Sequence, residues 1–178
     1  MNKKDINRIT NKIKILTNEN VHKIFRAGDV ATFGFGEPFE KINSRGTRMV
    51  PRFALHISCC FRLTCGDEIV LSRDDIFRPA LRSLQLEDYK TDFDWTGPYG
   101  NNRYEEIAES LFSKYPIEFK IKKLTISKLG DLTISFENDF VLEVFIDTSE
   151  PDECWRFFDN ASNEEHLIIT GQGIERGD

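Results

Sequence analysis

The sequence has no apolar run approaching the roughly 20 residues that a membrane span needs, which argues against a helical membrane protein and a membrane partner. Lys3 and Lys4 are not followed by an apolar stretch, so we expect no signal peptide and a cytoplasmic location. The four cysteines form no CxxC pair, and no nucleophile elbow or complete glycine-rich phosphate loop is present. We therefore expect no metal site, no cofactor and no catalytic centre defined by a motif.

A large excess of one sign of charge is also missing, since 24 basic and 30 acidic residues leave a formal net charge of only −6. A mildly acidic chain has no general attraction to phosphate backbones, so a nucleic-acid partner is not expected. The chain is 39% hydrophobic and 30% charged, values typical of globular proteins. Its 178 residues suit one core, and we predict a single domain over residues 1–178.

Strict alternation of apolar and polar residues is the main signal that is present. It runs from Arg52 to Thr64, which we interpret as one strand within a hairpin over residues 52–72. That interpretation places His56 and Arg62 on the same face of one strand. From Ile117 the alternation resumes with short turns, and it predicts an antiparallel meander over residues 117–171.

Helical spacing occurs in two places. Apolar residues three and four apart predict a helix over residues 5–17, with Asp5 as its N-cap. A second helix is predicted over residues 103–114, with Asn102 as its cap. Glu37 to Val50 and residues 73–102 are interpreted as loops. The predicted class is α+β, an antiparallel β meander in a curved sheet with two helices packed on it.

Several segments, taken in order, resemble a widespread group of bacterial proteins of unknown function, with the pattern HxxCxWRL … DxF … FDW … NR … LEVFPD … WRxF … HxVVTGxGIE. The likeness covers about Ala54 to Glu175, although Phe61 stands where the group usually has Trp and Ile146 where it usually has Pro. The resemblance implies an intracellular bacterial protein. Loosely similar proteins resemble immunity partners of secreted toxins. The matching segments here are Ala54–Leu63, Ser72–Phe77, Phe93–Trp95, Asn102–Arg103, Leu142–Phe145, Trp155–Phe158 and Glu165–Gly171.

Histidine and arginine supply the first candidates for a site. His56 and His166 could serve as bases or hydrogen-bonding groups if an acid lay nearby, or they could be structural residues of the sheet. Arg62 is a candidate because we place it on the face of His56. The three histidines have no metal-ligand spacing.

Aromatic residues beside arginine supply the others. Trp155 and Arg156 could anchor an interface, or Trp155 could be a core residue with Arg156 paired to Glu143 or Asp94. Asp94 and Trp95, with Arg103, belong to a turn-rich segment of the kind that often binds ligands. The adjacent acids Asp74 and Asp75 fit capping better than catalysis.

Two functions are compatible with these residues. The first is a non-enzymatic protein that binds a protein partner or itself as a homodimer, an immunity-like role being one version. The second is a small-molecule-binding protein or enzyme, in which a histidine, an arginine and a carboxylate meet in a pocket. Polar groups that converge in a concave site would favour the second, whereas a flat self-complementary patch would favour the first.

Overall fold

The computed structural model describes residues 1–43, 46–81, 93–97, 99–114 and 119–175. Helix α1 (Lys3–Ile13) is followed by a 3-10 helix (Lys14–Leu16), and helix α2 is Arg103–Lys114. The prediction of Asp5 as N-cap is wrong, because the Asn2 side chain accepts a hydrogen bond from Asp5 N at 2.9 Å. Asn102 caps α2 as predicted, accepting from Glu105 N at 3.0 Å. Neither helix is long and apolar enough to cross a bilayer.

The strands account for most of the remaining described chain. They are β1 (Val21–Ala27), β2 (Val30–Phe35), β3 (Phe39–Asn43), β4 (Gly46–Val50), β5 (Phe53–Ile57), β6 (Cys60–Cys65), β7 (Glu68–Ser72), β8 (Ile121–Ile126), β9 (Leu132–Phe136), β10 (Phe140–Phe145), β11 (Glu153–Asp159), β12 (Leu167–Thr170) and β13 (Gly173–Ile174).

Two larger sheets and one hairpin are built from these strands. The six-stranded sheet has the order β1-β2-β5-β11-β12-β13, and the five-stranded sheet has the order β7-β6-β10-β9-β8. Among the described strands, β3 and β4 pair only with each other. The pairing of neighbouring strands is antiparallel throughout the described residues. The predicted α+β class with antiparallel strands and two helices is therefore confirmed.

The run from Arg52 to Thr64 is not one strand, which corrects the prediction. After Ile57 the chain leaves the six-stranded sheet, and at Cys60 it enters the five-stranded sheet. Ile57, Cys59 and Phe61 are all buried, because both sheets turn their inner faces to the same core. The alternation thus continues across the break and does not reveal it. The predicted meander is divided in the same way between β10 and β11.

Side chains from both sheets meet in this core. Phe33 on β2 and Phe61 on β6 pack edge to face with ring centroids 6.1 Å apart. Tyr104 of α2 packs against Phe61 at 6.2 Å. Trp155 on β11 is fully buried, and its indole Nε1 donates to Gly130 O at 3.0 Å in the turn before β9. The core therefore joins the six-stranded sheet, the five-stranded sheet and α2.

The segment predicted as a loop, Glu37 to Val50, instead contains the β3–β4 hairpin, so that prediction is wrong. The chain following the hairpin lies directly on the outer face of the six-stranded sheet. A Cβ atom at Gly34 of β2 would lie 2.4 Å from Pro51 Cγ, so only glycine permits this close approach. Strand β1 was not predicted because its charged residues interrupt the alternation.

The predicted loop over residues 73–102 begins with a 3-10 helix, Arg73–Phe77. Asp75 completes a capping box, since its carboxylate accepts from Ser72 N at 2.7 Å. Asp74 pairs with Arg78 at 2.8 Å. The capping role expected for this acidic pair is therefore confirmed for Asp75. Residues 82–92 and 98 lie outside the described residues.

Candidate functional site

The outer face of the six-stranded sheet brings together three of the residues predicted for a site. His56 on β5 lies opposite Arg156 on β11, and Phe158 follows on the same face. The His56 ring packs edge-on against Phe158 at 4.9 Å, and His166 stacks on Phe158 at 4.3 Å. His56, Phe158 and His166 therefore form a continuous row of rings, which we call the histidine row.

Arg156 is held beside this row by an acid on its own strand. Its Nε donates to Glu153 Oε1 at 2.6 Å, and its Nη2 contacts the second carboxylate oxygen. Such a two-point contact fixes the guanidinium plane and satisfies the charge of the carboxylate. The prediction that Arg156 pairs with Glu143 or Asp94 is wrong. Residue spacing along a strand does not reveal which acid a bend or bulge brings near the arginine. The β11–β12 register shifts between Glu153 and Trp155.

Both imidazoles lie in an environment that favours their neutral form. Burial, followed by the positive charge of Arg156, lowers the pKa of His56, with Glu153 opposing the shift. Burial and Arg156 also lower the pKa of His166, again against Glu153. The two rings are therefore neutral near pH 7, and each retains one nitrogen that can accept and one that can donate a hydrogen bond.

A groove of about 440 Å³ opens next to the histidine row, between the sheet and strand β4. Thr32, His56 and Phe158 line it from the sheet, and Arg48 and Met49 line it from β4. Its volume falls within the range of about 300–1,000 Å³ that is typical of small-molecule sites. Further depressions of about 400 and 550 Å³ lie along α1, and His166 lines the smaller of these, whereas His56 and Phe158 line the groove.

The groove carries positive charge without a matching negative charge. Lys23 and Arg48 line it beside the neutral His56, and no carboxylate is among its described lining residues. Neither Lys23 nor Arg48 forms an ion pair within the described part of the chain. Lys41 lies directly opposite Arg48 in the hairpin, an arrangement of like charges that destabilises a strand pair.

Thr32 is a buried polar residue in the wall of the same groove. Its side chain is only 1% exposed, yet Oγ1 has no hydrogen-bond partner among the described residues. Leaving a buried hydroxyl unpaired costs about 1–3 kcal/mol. Thr32 lies in the wall of the groove, and its buried hydroxyl can donate or accept a hydrogen bond.

The other predicted residues lie apart from this groove. Arg62 is on the five-stranded sheet, where its Nε donates to Glu143 at 2.7 Å. This corrects its expected placement on the same strand as His56. Arg103 pairs with Glu106 at 2.9 Å on α2. Trp155 is buried in the core, so of its two interpretations the core residue is confirmed, and its indole is not available to a ligand.

Asp94 and Trp95 have local roles in the described residues. The Asp94 carboxylate accepts from Thr96 N at 3.0 Å and from the Thr96 hydroxyl, and these bonds lower the pKa of Asp94. Trp95 packs edge-on against Phe77 at 5.3 Å. The two residues thus stabilise the start of the turn before α2.

Sequence reasoning missed Lys23, Thr32, Arg48 and Phe158. Lys23 belongs to the unpredicted strand β1, and Arg48 belongs to the segment interpreted as a loop. The clearest available signal was the stretch over residues 39–50, whose polar and apolar residues alternate weakly around Gly46.

Sequence reasoning also missed Asp147, which lies near Cys59 and Cys154. Burial raises the pKa of both thiols, which makes them poor nucleophiles.

The chain matches no protein-family model, no curated protein and no solved structure. The resemblance to the bacterial group therefore stays a prediction, and the functional argument depends on the geometry of the groove.

Proposed function

We propose that this chain is a cytoplasmic binding protein that holds a small organic anion with a planar apolar part in the groove between β4 and the six-stranded sheet. The observation that carries the proposal is that Lys23, Arg48 and His56 line one groove that has no carboxylate among its described lining residues. Cationic groups would bind the negative end of such a ligand, and Phe25, Phe158 and Met49 would contact its apolar end.

Of the two functions expected from the sequence, this geometry favours small-molecule binding. The polar groups converge in a concave site rather than across a flat patch. We propose binding without catalysis, because Glu153, the carboxylate that acts on both histidines of the row, is already engaged by Arg156. It is therefore poorly placed to serve as the acid or base of a reaction.

Replacing Arg48 by alanine is expected to weaken binding of benzenesulfonate, an aromatic anion, about tenfold. A hydrogen bond to a charged group contributes roughly 1.5–3 kcal/mol, and the exposed position of Arg48 reduces that figure. Calorimetric titration of the two proteins measures the change. Neutral benzenesulfonamide is the matched ligand, and it should bind both proteins weakly and alike.

Ile42→Ser is the matched protein control, since Ile42 is on the same hairpin, is 81% exposed and does not line the groove. It should bind benzenesulfonate as the unaltered chain does. If Arg48→Ala and Ile42→Ser had equal affinities for benzenesulfonate, the proposed anion site would be wrong.

A second candidate, binding to a protein partner or to another copy of the chain, is favoured by the exposure of Ile42 and Met49 on the hairpin. Sedimentation separates the two candidates. Self-association that is lost in Ile42→Ser but retained in Arg48→Ala would support the second candidate.

Acidification from about pH 7.5 to about pH 5.5 is expected to tighten binding of benzenesulfonate, which stays charged over this range. The pKa of His56 is lowered in the free protein, so its imidazole gains a proton, and with it an attraction for the anion, only as the pH falls below its ordinary range. The effect is at most about tenfold per pH unit for one proton. His56→Gln should bind with an affinity that changes little with pH, and an unchanged pH profile in that variant would contradict the assignment.

The lowered pKa values of His56 and His166 have a different consequence for the ligand-free chain, whose stability should fall on acidification. As the pH falls through about 6.5, the unfolded chain takes up protons on His56 and His166 before the folded chain does. The contribution of these two groups to stability is therefore full above that pH and is lost on acidification. Binding and stability should consequently change in opposite directions with pH.

A further inference from the structure

The chain passes between the two sheets twice, and both passages run side by side. Cys59 lies in the link from β5 to β6, Asp147 follows β10, and Cys154 is near the start of β11. Backbone hydrogen bonds join the passages. Ser58 N and Cys59 N both donate to Cys154 O, at 2.8 and 3.2 Å, and Cys60 N donates to Asp147 Oδ2 at 2.8 Å.

These contacts collect two thiols and a carboxylate at one point. The Sγ atoms of Cys59 and Cys154 and a carboxylate oxygen of Asp147 all lie within 4.8 Å of one another. In a tetrahedral site with Zn–S bonds of about 2.3 Å, neighbouring sulfurs are separated by about 3.8 Å. Small changes in side-chain torsion would therefore bring the three atoms to coordinating distance.

The protein environment fits a closed site with one accessible side. Cys59 and Cys154 are 3% and 1% exposed, whereas Asp147 is exposed and would be the point of entry. Cys60 does not belong to this group of three, so the fourth position of a tetrahedral site would be open to water on the side of Asp147. Sulfur ligands with one oxygen select thiophilic cations such as zinc over magnesium or calcium.

We propose that Cys59, Cys154 and Asp147 bind a thiophilic divalent cation of the zinc class, which would fasten the two sheets together where the chain passes between them. The site lies apart from the anion groove, because none of its three residues lines that groove. Its occupancy would act mainly on stability, since a ligand that binds only the folded chain stabilises it by mass action.

Titration of the fully reduced protein with Co²⁺ and then Zn²⁺ tests the proposal. The unaltered chain should bind one Co²⁺ with sulfur-to-cobalt charge-transfer absorption, and Zn²⁺ should displace it and raise the melting temperature. Asp147→Asn and Cys154→Ser should each weaken Zn²⁺ binding by at least about tenfold. Asp147→Asn alters an exposed residue, so it tests the site even if Cys154→Ser fails to fold.

Cys65→Ser is the matched control, because Cys65 is the last residue of β6 and lies about 17 Å along the strand from Cys60, away from the proposed site. It should bind Zn²⁺ as the unaltered chain does. Equal Zn²⁺ affinity in Asp147→Asn and Cys65→Ser would overturn the proposal. It would also be overturned if the reduced chain bound no Zn²⁺, whether or not Cys59 and Cys154 form a disulfide when oxidised.

Discussion

Trp155→Ala is expected to lower the free energy of unfolding by about 3–5 kcal/mol. The indole is fully buried between the sheets, and truncation would remove its packing and leave a cavity. It would also leave Gly130 O without the Nε1 donor that now lies at 3.0 Å. Urea unfolding followed by circular dichroism measures the change without relying on tryptophan fluorescence.

Trp155→Phe separates packing from hydrogen bonding in the same position. It keeps an aromatic ring but removes the donor, so we expect a smaller loss, about 1–3 kcal/mol. Trp95→Phe is the matched control, because Trp95 is only partly buried and packs on Phe77 alone among the described rings. A loss below about 1 kcal/mol in Trp155→Ala would show that Trp155 does not anchor the core.

Glu105→Ala should destabilise the chain by a comparable amount, about 3–5 kcal/mol. Glu105 of α2 forms an ion pair with Arg26 of β1 at 2.8 Å, and the two side chains are 2% and 7% exposed. The carboxylate also accepts from Gly100 N. Removing it would leave the buried guanidinium uncompensated, which costs more than the pair itself contributes. Chemical denaturation again measures the loss.

Two further variants identify the cause of that loss. Arg103→Ala breaks the more exposed pair with Glu106 on the same helix, and should change stability by no more than about 1 kcal/mol. Replacing both partners, as in Arg26→Met with Glu105→Leu, should recover much of the stability lost in Glu105→Ala. Absence of recovery in the double variant would indicate that packing of α2, rather than the uncompensated charge, explains the loss.

The helices and most strands could be predicted because their signals are local. The spacing of Ile9 and Ile13 indicated α1, and the alternation of Phe140, Leu142 and Val144 indicated β10. Such patterns report which side chains face the interior. They do not report which sheet supplies that interior, which is why the break between Ile57 and Cys60 was missed.

The groove could be predicted only in part. His56, Arg156 and His166 were singled out by residue type, but their proximity depends on β5 pairing with β11. Arg48 reaches the groove because the β3–β4 hairpin lies over the sheet, a tertiary arrangement that weakly alternating residues do not specify. The unpaired state of Thr32 Oγ1 is a property of the packed structure, so no residue pattern could have shown it.

The order of strands in the six-stranded sheet also constrains how the chain acquires its shape. Strand β5 lies between β2, which precedes it closely, and β11, which is synthesised about 100 residues later. One edge of β5 therefore lacks its partner while most of the polypeptide emerges from the ribosome, and closing so long a loop is entropically slow. Premature termination before β11 would release a product with an open edge suited to intermolecular pairing and aggregation.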